Sequence, residues 1–293
     1  MRLLPVLLAA LALVLPRPAQ AYGYFAHRQI AEIALLNAEP ETARRARALL
    51  AKARLLETPA CPAATPADAS VWPDCIRGMG ARFSYTAPWH YQNVDICRPF
   101  DLKPACRDGN CVSAQIDRQV KLLQDRTIPE REKVTALAFL IHFVGDLHMP
   151  LHAGDRADRG GNDLKAAYGL YAPGWLNLHA IWDTPLADRA ITTPPSIIRR
   201  YDAAEEARIA AGATEDWSRK AWEVSREIAY RLALDGDPCG PKPTARVQLD
   251  ESEIQAAIEP QRLQVVRAGL RLARLLDEAL DPARAFTPEP RRR

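Results

Sequence analysis

Two His-x-x-x-Asp pairs, His142 with Asp146 and His179 with Asp183, constrain this chain more than any other feature. On a helix, residues four apart share a face with Cβ atoms about 5 to 6 Å apart, so an imidazole and a carboxylate can grip one metal ion. A fold that uses both pairs must bring two such helices together. His152 follows His142 across Pro150, which cannot continue a helix ladder. It therefore need not share the face of His142 and is a candidate ligand for a second metal. His27, His90 and Asp74 stand apart in sequence and complete the candidate set. A lone histidine on an apolar helix is ordinarily a hydrogen-bonded core residue, but two pairs with further isolated candidates point to a catalytic cluster. Such a set of imidazoles and carboxylates suffices for two or three ions that keep positions open to water.

The apolar pattern is helical. Ile116, Val120 and Leu123 recur at helical spacing after Ser113, an N-cap candidate, and Val134, Leu137, Ala138 and Ile141 do the same from Arg131 onward, which delivers His142 on a helix. Leu263, Val266, Leu270, Ala273, Leu276 and Leu280 form a further stripe, read as core packing. Alternating strand patterns are scarce. The 24 prolines, with segments such as Thr58 to Pro66 and Asp235 to Pro243, predict long loops between helices. The expectation is an all-α, single multi-helix domain with long loops. At 293 residues, without internal repeat or low-complexity block, the chain needs no second domain.

Residues 1–21 carry Arg2, an apolar run from Leu3 to Leu15 and the small-x-small sequence Ala19-Gln20-Ala21, the pattern of a secretory signal that leaves Tyr22 as the mature terminus. The competing reading, a membrane anchor, needs about 20 apolar residues, more than this run offers. The expected location is secreted or periplasmic. Export suits six cysteines, an even number that allows three disulfides. Cys106 and Cys111 enclose a turn-rich tetrapeptide and form a plausible local staple; a thiolate zinc site is the rival, disfavoured because no CxxC spacing occurs. The other pairings stay open at this point. Formal charge is +3, falling to +1 without Arg2 and Arg17, so no global basic field recruits a polyanion. Attraction for phosphate would have to come from metals and local arginines. Residues 281–293, ending Pro-Glu-Pro-Arg-Arg-Arg, are read as a disordered tail.

Several motifs in fixed order carry a resemblance: the aromatic Tyr22 with His27 five residues on, Trp72-Pro-Asp74-Cys-Ile-Arg77, Trp89-His90-Tyr91, the His142 to His152 block, Gly160-Gly161-Asn162, and Asn177 to Thr184. In these the chain resembles the S1/P1 nuclease family, zinc-dependent secreted nucleases similar in fold to phospholipase C. The resemblance spans residues 22–280 and implies three zinc ions. Asp74, His90, His142 and Asp146 would hold the first; His152, His179 and Asp183 the second; His27, a bridging Asp146, and the α-amino nitrogen and carbonyl oxygen of Tyr22 the third. A backbone amide nitrogen is a poor ligand, whereas a free terminal amine can coordinate once deprotonated, so signal cleavage would complete the site.

The resemblance also implies an endonuclease acting on single-stranded DNA and RNA, and on 3′-nucleotides, with 5′-phosphate products. Asp74 and Arg77 would act in catalysis, while Tyr91, Asn93 and Asn162 would bind substrate, Tyr91 by stacking on a base. A surface ion pair is the bland reading of Arg77, and a core tyrosine that of Tyr91. His148 has no ligand role in the family pattern and is expected to be packed and hydrogen-bonded. Cystine pairings implied by the resemblance are Cys106 with Cys111 and Cys97 with Cys239, leaving Cys61 with Cys75. Tyr22 replaces the family's usual tryptophan, Ala26 a glycine, and Asn93 an aspartate of fungal members, so base preference does not transfer. A monomer without stable membrane association is expected. Phospholipase C activity and a non-catalytic zinc-stabilised binding protein are the alternative readings.

Overall fold

The computed structural model of the chain describes residues 22–286, and the leader and residues 287–293 lie outside the described residues. Thirteen α-helices follow in order: α1 (Tyr24–Asn37), α2 (Pro40–Leu50), α3 (Pro66–Ala69), α4 (Trp72–Arg77), α5 (Val112–Gln124), α6 (Glu130–His148), α7 (Pro150–Ala153), α8 (Leu178–Asp183), α9 (Pro185–Thr192), α10 (Ala203–Ile209), α11 (Thr214–Val224), α12 (Arg231–Ala233) and α13 (Glu251–Leu280). The only strands among the described residues are two-to-three-residue pieces. β1 (Val94–Asp95) runs parallel to β2 (Gly154–Asp155), and β3 (Ala166–Tyr168) parallel to β4 (Val247–Leu249). They clamp loops rather than build a layer, so the fold is all-α as expected.

Helix α6 is the centre of the molecule. From Ala136 to His148 every residue is buried, because apolar side chains occur on all sides of this stretch and α1, α5 and α13 close around it. The helix stops at His148; Met149 is extended and Pro150 opens α7 at its first turn, where a missing N–H costs nothing. The sequence places this break correctly.

Two helix expectations need correction. Ser113 does not cap α5: Cys111 holds the cap position, and Ser113 lies buried with its hydroxyl 3.3 Å from the Cys111 sulfur. The disulfide to Cys106 and the bond from Val112 N–H to Tyr91 O fix the chain before Ser113, so the helix begins earlier. In the C-terminal stripe, Val266, Leu270, Ala273 and Leu276 are buried, but Leu263 is 40% exposed. There the inner face of α13 carries Gln261, Arg262 and Gln264, which bond to backbone carbonyls of other segments. The helix also starts earlier than the stripe, at an Asp250 capping box with Glu253.

All three disulfides form, pairing Cys61 with Cys75, Cys97 with Cys239 and Cys106 with Cys111. Residues 281–286, assigned to the tail by sequence, turn back on α5: Phe286 N–H donates to Gln124 O and Arg126 N–H to Phe286 O. Among the described residues no helix is long and apolar enough to cross a membrane.

Candidate metal centre

Six elements aim histidines and aspartates at one buried point. α6 supplies His142 and Asp146 one turn apart; α8 supplies His179 and Asp183; α7 supplies His152; α4 supplies Asp74; and the 3₁₀ turn Ser84–His90 ends in His90. α1 contributes His27, whose ring stacks on that of His142 with centroids 4.1 Å apart. That approach requires Gly145, since a Cβ there would lie 2.7 Å from His27 Nδ1.

Asp146 is the hub. Its Oδ2 is 2.9 Å from both His90 Nδ1 and His142 Nε2, while its Oδ1 is 3.5 Å from His27 Nε2 and 3.4 Å from His152 Nδ1. Asp74 Oδ1 lies 3.6 Å from His90 Nδ1 and 3.8 Å from His142 Nε2. His179 Nε2 is 3.3 Å from Asp183 Oδ2. Three ligand sets emerge, each within 4.8 Å: His27 with Asp74 and His142; His90 with His142 and Asp146; His152 with His179 and Asp183. The last is the second set expected from sequence. The other two interleave around His142 and Asp146, with His27 close to both carboxylates.

Outer hydrogen bonds fix which imidazole nitrogen faces inward. Each of His142 Nδ1 and His179 Nδ1 stands 2.7 Å from a carbonyl, of Ser70 and Gly160 respectively, and must donate to it, so that in the neutral ring Nε2 holds the free lone pair. Gly160 has φ +61° and a Cβ there would meet Leu151 O at 2.1 Å, so only glycine brings its carbonyl to His179. His148 differs. Its Nδ1 donates to Val144 O, and Arg271, always a donor, holds Nε2 at 2.7 Å. It is a packed residue, as expected, with both nitrogens engaged.

The electrostatics of the cluster suit bound cations. Burial, then the charge of His142, lowers the pKa of His27 to about 4; burial, then His152, lowers that of His179 to about 3. Both are neutral at pH 7, the ligating form. Burial raises Asp183 well above the usual carboxylate range, helped by Asp146 and Asp74. Burial opposes a charge on His142, but the facing Asp146 and Asp74 prevail and raise it to about 9. Asp146 is also disfavoured as an anion by burial, and His142 outweighs this and holds its pKa well down. Both nitrogens of His27, His90 Nε2, His152 Nδ1, Asp74 Oδ2, Asp146 Oδ1 and Asp183 Oδ1 are buried with no hydrogen-bond partner. Unpaired buried acceptors and carboxylates at this density are costly unless metal ions occupy the space between them, and the nitrogen and carboxylate donor set suits zinc.

The remaining predicted residues surround this centre unequally. Arg77 Nη1 donates to Asp74 Oδ1 at 3.3 Å from one turn along α4, and its charge reaches His179. Tyr22 is fully buried with its ring 6.1 Å from that of His27 and its hydroxyl donating to His148 O; the adjacent Gly23 N–H donates to Asp183 O at 2.8 Å. Tyr91 is 39% exposed, which excludes the core-tyrosine reading. The N–H groups of Gln92 and Asn93 both donate to His152 O, tying this segment to the second ligand set. Asn162 is turned away, its amide donating to Arg159 O in its own loop. The carbonyls of Ser70 and Gly160 and the clearance at Gly145 were missed by sequence reasoning; only the Gly160-Gly161 motif offered a signal.

The S1/P1 Nuclease family profile matches residues 22–281, nearly the whole of the described chain. The chain belongs to the S1/P1 nuclease family. Among relatives, Endonuclease 4 of Arabidopsis thaliana is 30% identical over 173 residues, 52% of this chain and 53% of its own length. Endonuclease 2 of the same plant is 29% identical over 130 residues, covering 41% of this chain and 43% of its own. The chain thus spans about half the length of these plant relatives. Nuclease PA3 of Penicillium sp is 24% identical over 281 residues, 88% of this chain and 97% of its own length. All three ligand sets fall inside the matched region.

Proposed function

We propose that the protein is a zinc-dependent phosphodiesterase of the S1/P1 type, cleaving single-stranded DNA and RNA to 5′-phosphate products and removing the 3′ phosphate from nucleotides as inorganic phosphate. The observation that carries this reading is the convergence of three ligand sets on the buried Asp146 with a guanidinium at their edge. Zinc bound there lowers the pKa of water towards neutrality and offsets phosphoryl charge. Asp74, with Oδ2 unpaired, accepts the proton of the attacking water and orients it. Arg77, already directed by Asp74 Oδ1, presents its planar fork to phosphoryl oxygens as charge builds. The exposed Tyr91 ring stacks on a base without choosing among bases, and Asn93 offers a donor and an acceptor to a base edge. Asn162 reaches substrate only if its loop bond to Arg159 opens.

In this reading residues 1–21 are a leader removed on export to an oxidising compartment, in keeping with three disulfides. Cleavage after Ala21 would free the Tyr22 amine to serve with His27 and Asp146 as a ligand of the third ion. Purified protein starting at Tyr22 is assayed on a 5′-labelled single-stranded oligonucleotide and on a phosphatidylcholine emulsion, with and without chelator, beside Asp146→Asn. Chelator-sensitive cleavage to 5′-phosphate ends, lost in the variant, is expected. Hydrolysis of the lipid alone would transfer the site to a phospholipase, and oligonucleotide cleavage by verified metal-free protein would overturn the mechanism.

A further inference from the structure

α13 and the corner between α10 and α11 line an open cavity of about 340 Å³ that contains none of the candidate metal ligands. Arg208, Lys220, Arg267 and Arg271 line it against the single carboxylate of Asp216. Arg267 and Arg271 stand four apart on α13 and so share a face. Arg271 is 3% exposed, yet its bonds go only to neutral acceptors, Ile209 O at 3.2 Å and His148 Nε2 at 2.7 Å. Arg267 likewise donates to the amide of Gln264. Among the described residues the arginines of α13 that make ion pairs are instead Arg262, with Glu259, and Arg274, with Glu278. Asp216 accepts the N–H of Ala213 at the start of α11, so its charge serves that helix end. Arg271 and Arg274 crowd the same Trp217 ring, at 4.9 and 4.8 Å, which adds a further positive charge beside the cavity. Burial, then Arg267 and Arg274, lower the pKa of Arg271 against the opposing charge of Asp216, so the cations around it outweigh the one carboxylate, and it stays cationic at neutral pH.

We propose that this cavity is an anion site for a phosphate dianion, free or as a monoester. A buried guanidinium facing other cations is costly until an anion joins it. Phosphate suits the site because the N–H groups that Arg267 and Arg271 have left over can both donate to its oxygens, and the exposed Arg208 and Lys220 attract a dianion from solvent. The volume exceeds what an inorganic ion needs, and Leu263 and Ile209 give one wall an apolar surface for the organic part of a monoester.

The test is calorimetric titration of the metal-loaded protein with inorganic phosphate and, separately, with adenosine 5′-monophosphate. The parent is compared with Arg267→Gln/Lys220→Gln, whose oligonucleotide hydrolysis stays unchanged. Two binding events are expected in the parent, one at the metals and one in the cavity. The second should weaken at least about tenfold in the double variant, since each charge-assisted bond lost is worth about 1.4 kcal/mol or more. Tighter binding of the nucleotide than of phosphate assigns a monoester, and equal binding assigns free phosphate. Identical isotherms in parent and variant overturn the proposal. Should the double variant fail to fold, Arg208→Gln at the exposed mouth must itself weaken the second event severalfold, and an unchanged isotherm there overturns the proposal equally.

Discussion

Gly145 shows how one missing methyl shapes the centre. A glycine inside a helix costs about 1 kcal/mol relative to alanine, yet here it lets the His27 ring lie against α6. Gly145→Ala is therefore expected to fold, to lose one metal per chain by elemental analysis, and to lose about tenfold or more in activity because the remaining ligands shift. Full metal content in the variant would contradict the clearance argument. Protonation offers a second check. His142, with its pKa raised to about 9, carries a proton at pH 7 in the metal-free protein, and Asp183 is raised as well. His27 and His179, lowered to about 4 and 3, carry none. Metal uptake at pH 7 should thus release about one to two protons, read by calorimetry in buffers of different ionisation enthalpy. At this scale the His142/Asp146 and His179/Asp183 pairs were legible because spacing four apart marks a helix face, whereas His27, Asp74, His90 and His152 were joined to them only through the family resemblance. Ser70 and Gly160 were not legible, because they act through carbonyls, which every residue has.

Among the elements, α6 was readable because its apolar residues recur at helical spacing and Pro150 fixes its end. α13 was only half read. Its inner face includes Arg262, buried and donating to the carbonyls of Ala190 in the last turn of α9 and of Thr193 and Pro195 beyond it. No hydropathy pattern marks an arginine as interior. Arg262→Met fills similar space but leaves those carbonyls unpaired, and should cost about 3 kcal/mol in denaturant unfolding while leaving the metal content intact. A cost below about 0.5 kcal/mol would mean that water replaces the guanidinium. The start of α5 was misplaced because a disulfide and a tether to Tyr91, both long-range facts, outrank a local capping preference.

For the whole molecule, the Cys97–Cys239 bridge closes a loop of 142 residues in sequence separation, against 5 for Cys106–Cys111. Loop-closure entropy predicts losses of roughly 5 and 2 kcal/mol when each is removed as a paired alanine variant, with thermal unfolding ranking them. Chelation should lower the unfolding temperature together with activity, because the ligands come from six separate segments and have little else to hold their buried charge. The all-α class was legible from periodicity and the scarcity of alternating strands. How α1, α4 and α8 meet α6 was visible only through the family resemblance, since it depends on tertiary packing. Asp146 has a further consequence, because four imidazoles lean on its two oxygens. An ion entering one pocket draws on a ligand its neighbours also need and reorients it for them. Loading should then be all-or-none: at half-saturating zinc, native mass spectrometry would find empty and fully charged molecules side by side, with few in between.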